Sequence, residues 1–133
     1  MDIKYLAGFF DGEDCITVKI IKREKTRYKT GIEIRPCISI IQKNITFLKY
    51  LQNELHIGRI DTKANTPQLA IEKPSEIRKF LTYLKDELEL KKDQATLMLT
   101  LLDLKEQRCH LSNEGFDECM NISREIHRLN SKD

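Results

Sequence analysis

The chain predicts an α+β fold, with elements in the order αββαββα and further helices at the end. Three observations carry this. In the first segment apolar residues recur at i, i+3, i+4 and i+7, the spacing of a helix with one buried face. The next two stretches alternate β-branched with other residues at the period of a strand, and a shorter pair follows later. Each strand pair is joined by basic or turn-forming residues, Arg23 to Thr30 in one case and Asn65-Thr66-Pro67 in the other. Four antiparallel strands with helices packed on one face satisfy that order and leave the other face to solvent or a ligand.

The first helix carries Ile3, Leu6, Ala7 and Phe10 on its apolar side, with Asp2 as N-cap and Gly12 near its end. It stops where the acids Glu13 and Asp14 begin. Strands are expected from Cys15 to Ile21 and from Ile32 to Ile41. In the second of these Ile32, Ile34, Ile38 and Ile40 share one face, and Glu33, Arg35, Cys37 and Ser39 the other. Pro36 has no N–H and marks an edge position or a bulge. Asn44 caps a helix with Phe47, Leu48, Leu51 and Leu55, ended near Gly58. A second strand pair, Arg59 to Lys63 and Gln68 to Glu72, comes next. Pro74 fits the first position of a third helix that buries Ile77, Phe80, Leu81 and Leu84. Two more helices are expected, roughly Lys92 to Gln107 and Gly115 to Asn130.

At 133 residues the chain is long enough for one domain, residues 1–133, with its own core. A composition 40% hydrophobic and 33% charged excludes the disordered, collagenous and membrane-embedded classes. No apolar run suffices to span a bilayer, and Met1-Asp2-Ile3-Lys4 lacks the order of a signal peptide. The protein is expected inside the cell, in the cytoplasm or an organelle, with no membrane partner and no small-molecule substrate. Net charge is only +2 and does not announce a polyanion binder, but its distribution is uneven. From Lys19 to Arg35 seven basic residues face two acids. Cys15, Cys37, Cys109 and Cys119 show no metal-binding spacing and are expected as ordinary buried thiols, a Cys109–Cys119 disulfide remaining open. His56, His110 and His127 are scattered and are assigned no chemistry.

The run Tyr5-Leu6-Ala7-Gly8-Phe9-Phe10-Asp11-Gly12-Glu13-Asp14 is the most informative stretch. It resembles the LAGLIDADG motif, matching at Leu6, Ala7, Gly8, Phe9, Asp11 and Gly12, with Glu13 where that family places its catalytic carboxylate. Two further segments are similar to the family: Gln42-Lys43 after the second strand, and Leu88-Glu89-Leu90-Lys91-Lys92-Asp93-Gln94-Ala95 leading into the next helix. The chain is thus identified as a member of the LAGLIDADG homing endonucleases, in their single-motif, homodimeric class. Two departures stand out: Asp14 replaces a usual small residue after the acid, and neutral Thr46 stands where a basic residue is common.

The resemblance implies an αββαββα core with a saddle-like four-stranded antiparallel sheet and a role for each matched residue. Small side chains at Ala7 and Gly8 let the motif helix pack closely on its own copy across a two-fold axis, so Leu6, Ala7, Gly8, Phe9, Asp11 and Gly12 become a dimer interface. Two adjacent helix C-termini, each bearing Glu13, form a negative pocket that suits a hard divalent ion, Mg²⁺ or Mn²⁺, held by Glu13 and the carbonyl near Gly12. Gln42 would hold the water near the metal, Lys43 would contact the DNA backbone, and Lys91 would stabilise charge on the phosphate. Cleavage would cross the minor groove of a long, nearly palindromic double-stranded site and leave short 3′ overhangs.

In the major groove, alternate side chains of the free sheet face would meet base edges: Thr17, Lys19, Glu33, Arg35, Cys37, Ser39, Arg59, Asp61, Lys63, Gln68 and Ala70. Lys22, Arg23, Lys25, Arg27, Lys29 and Lys43 would take phosphates. Two other readings compete with this one. A family member that has lost cleavage would act as an RNA maturase or a DNA-binding regulator. An α+β interaction module unrelated to nucleic acid would leave the basic Lys19–Arg35 stretch without a purpose.

Overall fold

The computed structural model describes residues 2–13, 15–22, 31–63 and 65–131, with the side chains of Asp11, Gly12, Glu13 and Cys15 outside the description. Its elements run α1 (Ile3–Glu13), β1 (Cys15–Lys22), β2 (Ile32–Ile41), α2 (Ile45–Leu55), β3 (Arg59–Asp61), β4 (Gln68–Ile71), α3 (Pro74–Leu84), α4 (Lys92–Glu106) and α5 (Asn113–Asn130). The expected α+β order is present. Short 3-10 turns at Lys85–Glu87 and Cys109–Leu111 join the last three helices and had no clear sequence signal. Among the described residues, no helix is long and apolar enough to cross a membrane.

Local chemistry sets the helix boundaries. Asp2 opens α1 by accepting the Lys4 N–H on its carboxylate at 2.8 Å. Asn44 caps α2 by accepting the Phe47 N–H at 3.3 Å. Gly58 does not end α2; His56 does, in the left-handed region at φ 54°, with its N–H donated to the Gln52 carbonyl. Pro74 stands at the start of α3, and Ser112 caps α5 through the Gly115 N–H. Gly115 is needed for another reason: a Cβ there would lie 1.8 Å from the Cys109 carbonyl oxygen, backbone that cannot step aside. Gly115→Ala is expected to cost on the order of 3 kcal/mol through overpacking and to lower the thermal midpoint by roughly 10 °C. A midpoint within about 2 °C of the parent, on the same size scaling, would show that the turn relaxes freely.

All four strands form one antiparallel sheet in the order β1-β2-β4-β3. β1 pairs with β2 over its full length, from Cys15 opposite Ser39 to Lys22 opposite Ile32, and Pro36 sits opposite Val18 with no bulge. Lacking an N–H, Pro36 can occupy only a position whose backbone groups point away from β1. β4 meets β2 from Ile38 to Ile41, so Pro36 lies just where that second pairing has ended, on a stretch that is locally an edge.

Paired residues share a face, and the register therefore sorts the sheet into an apolar and a polar side. Ile16, Val18, Ile34, Ile38, Ile40, Leu69 and Ile71 point inward and are buried. α1 and α3 lie against β2, α2 against β3 and β4, and α4 with α5 along β1. Phe10 of α1 meets Phe80 of α3 edge-on at 5.2 Å, and Phe9 meets Phe47 of α2 at 5.1 Å, which fixes α1 against both neighbours.

Candidate nucleic-acid interface and active site

The outward face of the sheet gathers the expected row. Lys19 stands opposite Arg35, Thr17 opposite Cys37, Ser39 opposite Ala70, Arg59 opposite Ala70 and Asp61 opposite Gln68; Glu33 shares the side through Ile21. Both of its arginines are paired with carboxylates. Arg35 donates to Glu33 at 2.8 Å, and Arg59 bridges Glu72 at 2.8 Å and Asp61 at 3.7 Å. Glu72 raises the already high Arg59 pKa, and the Lys63 backbone N–H lowers that of Asp61. The exposed Arg59–Glu72 pair contributes little to stability, so an incoming ligand can replace it at small cost, whereas Arg35–Glu33 is partly buried.

Three residues of the row are corrected, the first being Ala70, which keeps the outward parity but is 5% exposed and offers a base little surface. Cys37 keeps the outward parity but is 1% exposed, with Lys19, Ser39, Glu72 and Arg59 around it, so it cannot reach a base edge in this arrangement. Burial pushes its thiol pKa up. Lys63 is not on a strand: β3 ends at Asp61, whose carboxylate accepts the Lys63 N–H at 2.9 Å and turns the chain. Lys22, by contrast, is exposed at the end of β1, and Lys43 is exposed after β2. Arg23, Lys25, Arg27 and Lys29 lie outside the described residues.

The motif helix divides its residues differently from the expected interface. Leu6 and Ala7 are fully buried within this chain, so neither has surface left to give to a second copy. The side that stays open carries Tyr5, 62% exposed, and Gly8, where an added Cβ would meet nothing within 4 Å. Gly12 follows on the same side one turn later. Phe9 lies at the border, half-buried against Phe47. Tyr5 was not among the expected residues, although helical phase places it beside Gly8. Glu13 is the last residue of α1; its side chain and that of Asp11 fall outside the description, as does Asp14 altogether.

Lys91 is not an ordinary solvated lysine. It is 8% exposed and forms the N-cap of α4 without a side-chain capping bond, at the end of a helix that disfavours cations. Ser, Thr, Asn or Asp would start the helix better. Gln42 sits where β2 leaves the sheet: its N–H donates to the Pro67 carbonyl at 3.1 Å and its side-chain oxygen accepts the Asn44 N–H at 3.3 Å. Both hold it between β2, the β3–β4 turn and the start of α2. Thr46 is exposed.

Elsewhere, a cavity of about 730 Å³ opens between α2 and α3, lined in part by Leu55, Ile57, Phe80 and Tyr83. Its cations are occupied, Arg78 by Asp103 and Glu106 and Lys79 by the Leu55 carbonyl. The thiols of Cys37, Cys109 and Cys119 are all free, which closes the disulfide question, and Cys109 is only half-buried. His127, assigned no chemistry from the sequence, places Nε2 3.0 Å from the Val18 carbonyl.

The chain is thus an α+β protein with one four-stranded antiparallel sheet, helices packed on its apolar face, polar side chains alternating on the other, and a first helix exposed at Tyr5 and Gly8. The chain belongs to the LAGLIDADG endonuclease family, whose model matches residues 6–100, and to its single-motif class. It is 26% identical over 99 residues to the DNA endonuclease I-CreI of Chlamydomonas reinhardtii, a stretch covering 74% of this chain and 61% of that protein. Among solved structures, the archaeal intron-encoded homing endonuclease I-Vdi141I, complexed with DNA, superposes with a TM-score of 0.87 at 26% identity, over 96% of this chain and 82% of that one. The homing endonuclease I-TnaI gives 0.84 at 26% identity, over 98% and 95%.

Proposed function

We propose that the chain is a site-specific double-strand DNA endonuclease in which residues 1–133 form one unit, half of a homodimer. The observation that carries this reading is the outward sheet face, where Lys19, Arg35, Arg59, Asp61 and Gln68 stand in register on neighbouring strands. Those are the side chains that discriminate base pairs in the major groove. Ile41, 45% exposed on the same face, suits a thymine methyl. DNA bound to I-Vdi141I, and I-CreI's description as a DNA endonuclease, support the same reading.

In the active site α1 runs through Glu13, so its last carbonyls have no partner within the helix. Carboxylate and carbonyl oxygens are the donors a hard cation takes, and the set fits Mg²⁺ or Mn²⁺ held by Glu13 and the Gly12 carbonyl. A bound ion would neutralise charge on the scissile phosphate and make a water acidic. Gln42 orients that water through its side-chain amide. Lys91, nearly buried at the start of α4, meets the charge that grows on the phosphate. Lys22 and Lys43 take phosphates. The product ends are short 3′ overhangs on a nearly palindromic site, and the protein works in the cytoplasm or organelle that holds its target.

Incubation of the chain with a randomised duplex library and Mg²⁺ tests this directly. One long near-palindrome cut with metal, and left intact with a chelator, is the expected result. Sequence-selective binding of DNA or RNA with no cutting at any metal concentration would replace the nuclease by a regulator or maturase. Within the nuclease reading, Lys91→Met is expected to lower the cleavage rate by about 10²- to 10³-fold, the scale of one lost transition-state donor. Cleavage by Lys91→Met within about threefold of the parent, far below that scale, would remove the residue from the site. Arg59→Ala is expected to relax the preference at one base position by ~1–3 kcal/mol. Lys22→Ala should instead weaken binding to all sequences and lower the salt slope by about one. Equal effects of the two variants at every position would show that Arg59 contacts the backbone, not a base.

A further inference from the structure

The β1–β2 hairpin projects beyond the part of the sheet that β4 supports. β4 pairs with β2 only from Ile38 to Ile41, so the stretch from Ile32 to Cys37, with Glu33 and Arg35, has a single neighbouring strand. Pro36 shows which backbone groups face outward: opposite residues at Pro36 and Val18, and two residues away at Ile34 and Ile16, point their carbonyls to the two open edges. A carbonyl row left open on a protruding hairpin would fray or pair with another chain.

Side chains from the C-terminal helices reach three of these carbonyls. Lys105 of α4 donates from Nζ to the Ile34 carbonyl on the β2 edge. On the β1 edge, His127 Nε2 lies 3.0 Å from the Val18 carbonyl, and Asn130 Nδ2 donates to the Ile16 carbonyl at 2.8 Å. Nearly buried Gln94 of α4 donates in turn to Asn130 Oδ1 at 3.4 Å, tying the two helices at that point. Lys105 is half-buried: desolvation lowers its pKa, the carboxylate of Glu33 opposes that shift, and Arg35 adds to it. A lysine drawn out of water to hold one backbone carbonyl, within electrostatic reach of two outward-facing side chains, is costly for a helix whose only task is to cover the core.

We propose that Lys105, His127 and Asn130 are positioning residues that clamp the outer hairpin from both edges and set the angle at which Lys19, Glu33 and Arg35 face base edges. The C-terminal helices then shape sequence specificity through the hairpin they hold. This rests on the DNA-reading face proposed above. Reading residues on β3 and β4 stand outside the clamp, so its loss should blur only one part of each half-site.

Two measurements on Lys105→Met and on His127→Leu/Asn130→Leu test it. Lys105→Met keeps much of the apolar stem and removes the donor together with its charge beside Glu33 and Arg35. In the DNA-free chain, the Glu33 and Arg35 amides, which pair with β1, are expected to exchange about tenfold faster or more, with β4 amides unchanged. Unchanged exchange at Glu33 and Arg35 in both variants overturns the clamp, whatever the chain binds. On single-base-pair variants of the duplex recovered from the library, discrimination should fall by on the order of tenfold, the scale of one good base contact, at the positions read by β1 and β2. Positions read by Arg59, Asp61 and Gln68 should keep theirs. A uniform loss at all positions, with faster exchange, overturns the role in specificity and leaves a structural brace. A parent chain with no preference among duplexes overturns both the DNA reading and that role, and the exchange rates still decide the clamp.

Discussion

Gly8→Leu is expected to abolish cleavage while leaving the chain folded. Within one chain there is room for the substitution, since a Cβ at Gly8 meets nothing within 4 Å. Leucine also favours the helix over glycine by about 1 kcal/mol, so the isolated chain should unfold at the same temperature or slightly higher. In the proposed homodimer the exposed side of α1, with Tyr5 and Gly8, would meet the second copy, because Leu6, Ala7 and Phe10 are fully spent on the core. Two helices that approach through glycine place their backbones closer than a leucine side chain permits. Since a misplacement of about 1 Å at reacting groups can cost ~10²-fold in rate, helices wedged apart by leucine should lose all measurable cleavage. Sedimentation should report a monomer for this variant, against the dimer expected of the parent. A Gly8→Leu chain that remains dimeric and cuts at the parent's rate would move the interface to another surface. Tyr5→Ala, removing an exposed aromatic from the same side, should weaken the dimer without abolishing it.

The legible parts of the fold were those set by neighbours in the chain. Asn44, Pro74 and the strand alternation of Ile34, Ile38 and Ile40 act through bonds and periods a few residues long, and each landed where expected. Tertiary effects decided the rest. Parity places Cys37 on the outward face, but it is 1% exposed, and Lys19 of β1, Arg59 of β3 and Glu72 beyond β4 all act on its thiol, which no count along β2 could show. The motif match grouped Leu6 and Ala7 with Gly8, whereas the helical phase separates them: 100° per residue sends Leu6, Ala7 and Phe10 inward and Tyr5 and Gly8 outward. Helical phase, not motif identity, carries that division. The clamp by Lys105, His127 and Asn130 joins residues roughly 70 to 114 positions apart and has no local signature.

Glu13→Gln is expected to remove cleavage and to spare binding, and the direction of the effect on binding is the more informative half. The substitution keeps the size of the side chain and deletes one negative charge per chain at the C-terminal end of α1, where the helix already places partial negative charge. Losing a carboxylate ligand removes several kcal/mol of charge stabilisation from a metal-assisted hydrolysis, on the order of 10³-fold in rate or more. DNA brings phosphates to that same point, so deleting acids there reduces repulsion, and affinity in the absence of divalent ions should stay level or rise. Lys91→Met should act with the opposite sign on binding, because it removes a cation from the phosphate while lowering the rate. A misfolded chain would lose affinity in both cases. Binding that rises or holds for Glu13→Gln and falls for Lys91→Met, with cleavage reduced in each, therefore separates an acid-and-lysine active site from general damage. A Glu13→Gln chain that still cuts at a tenth of the parent's rate, two decades above expectation, would pass the metal-binding role to another carboxylate, with Asp14 the next acid in the chain.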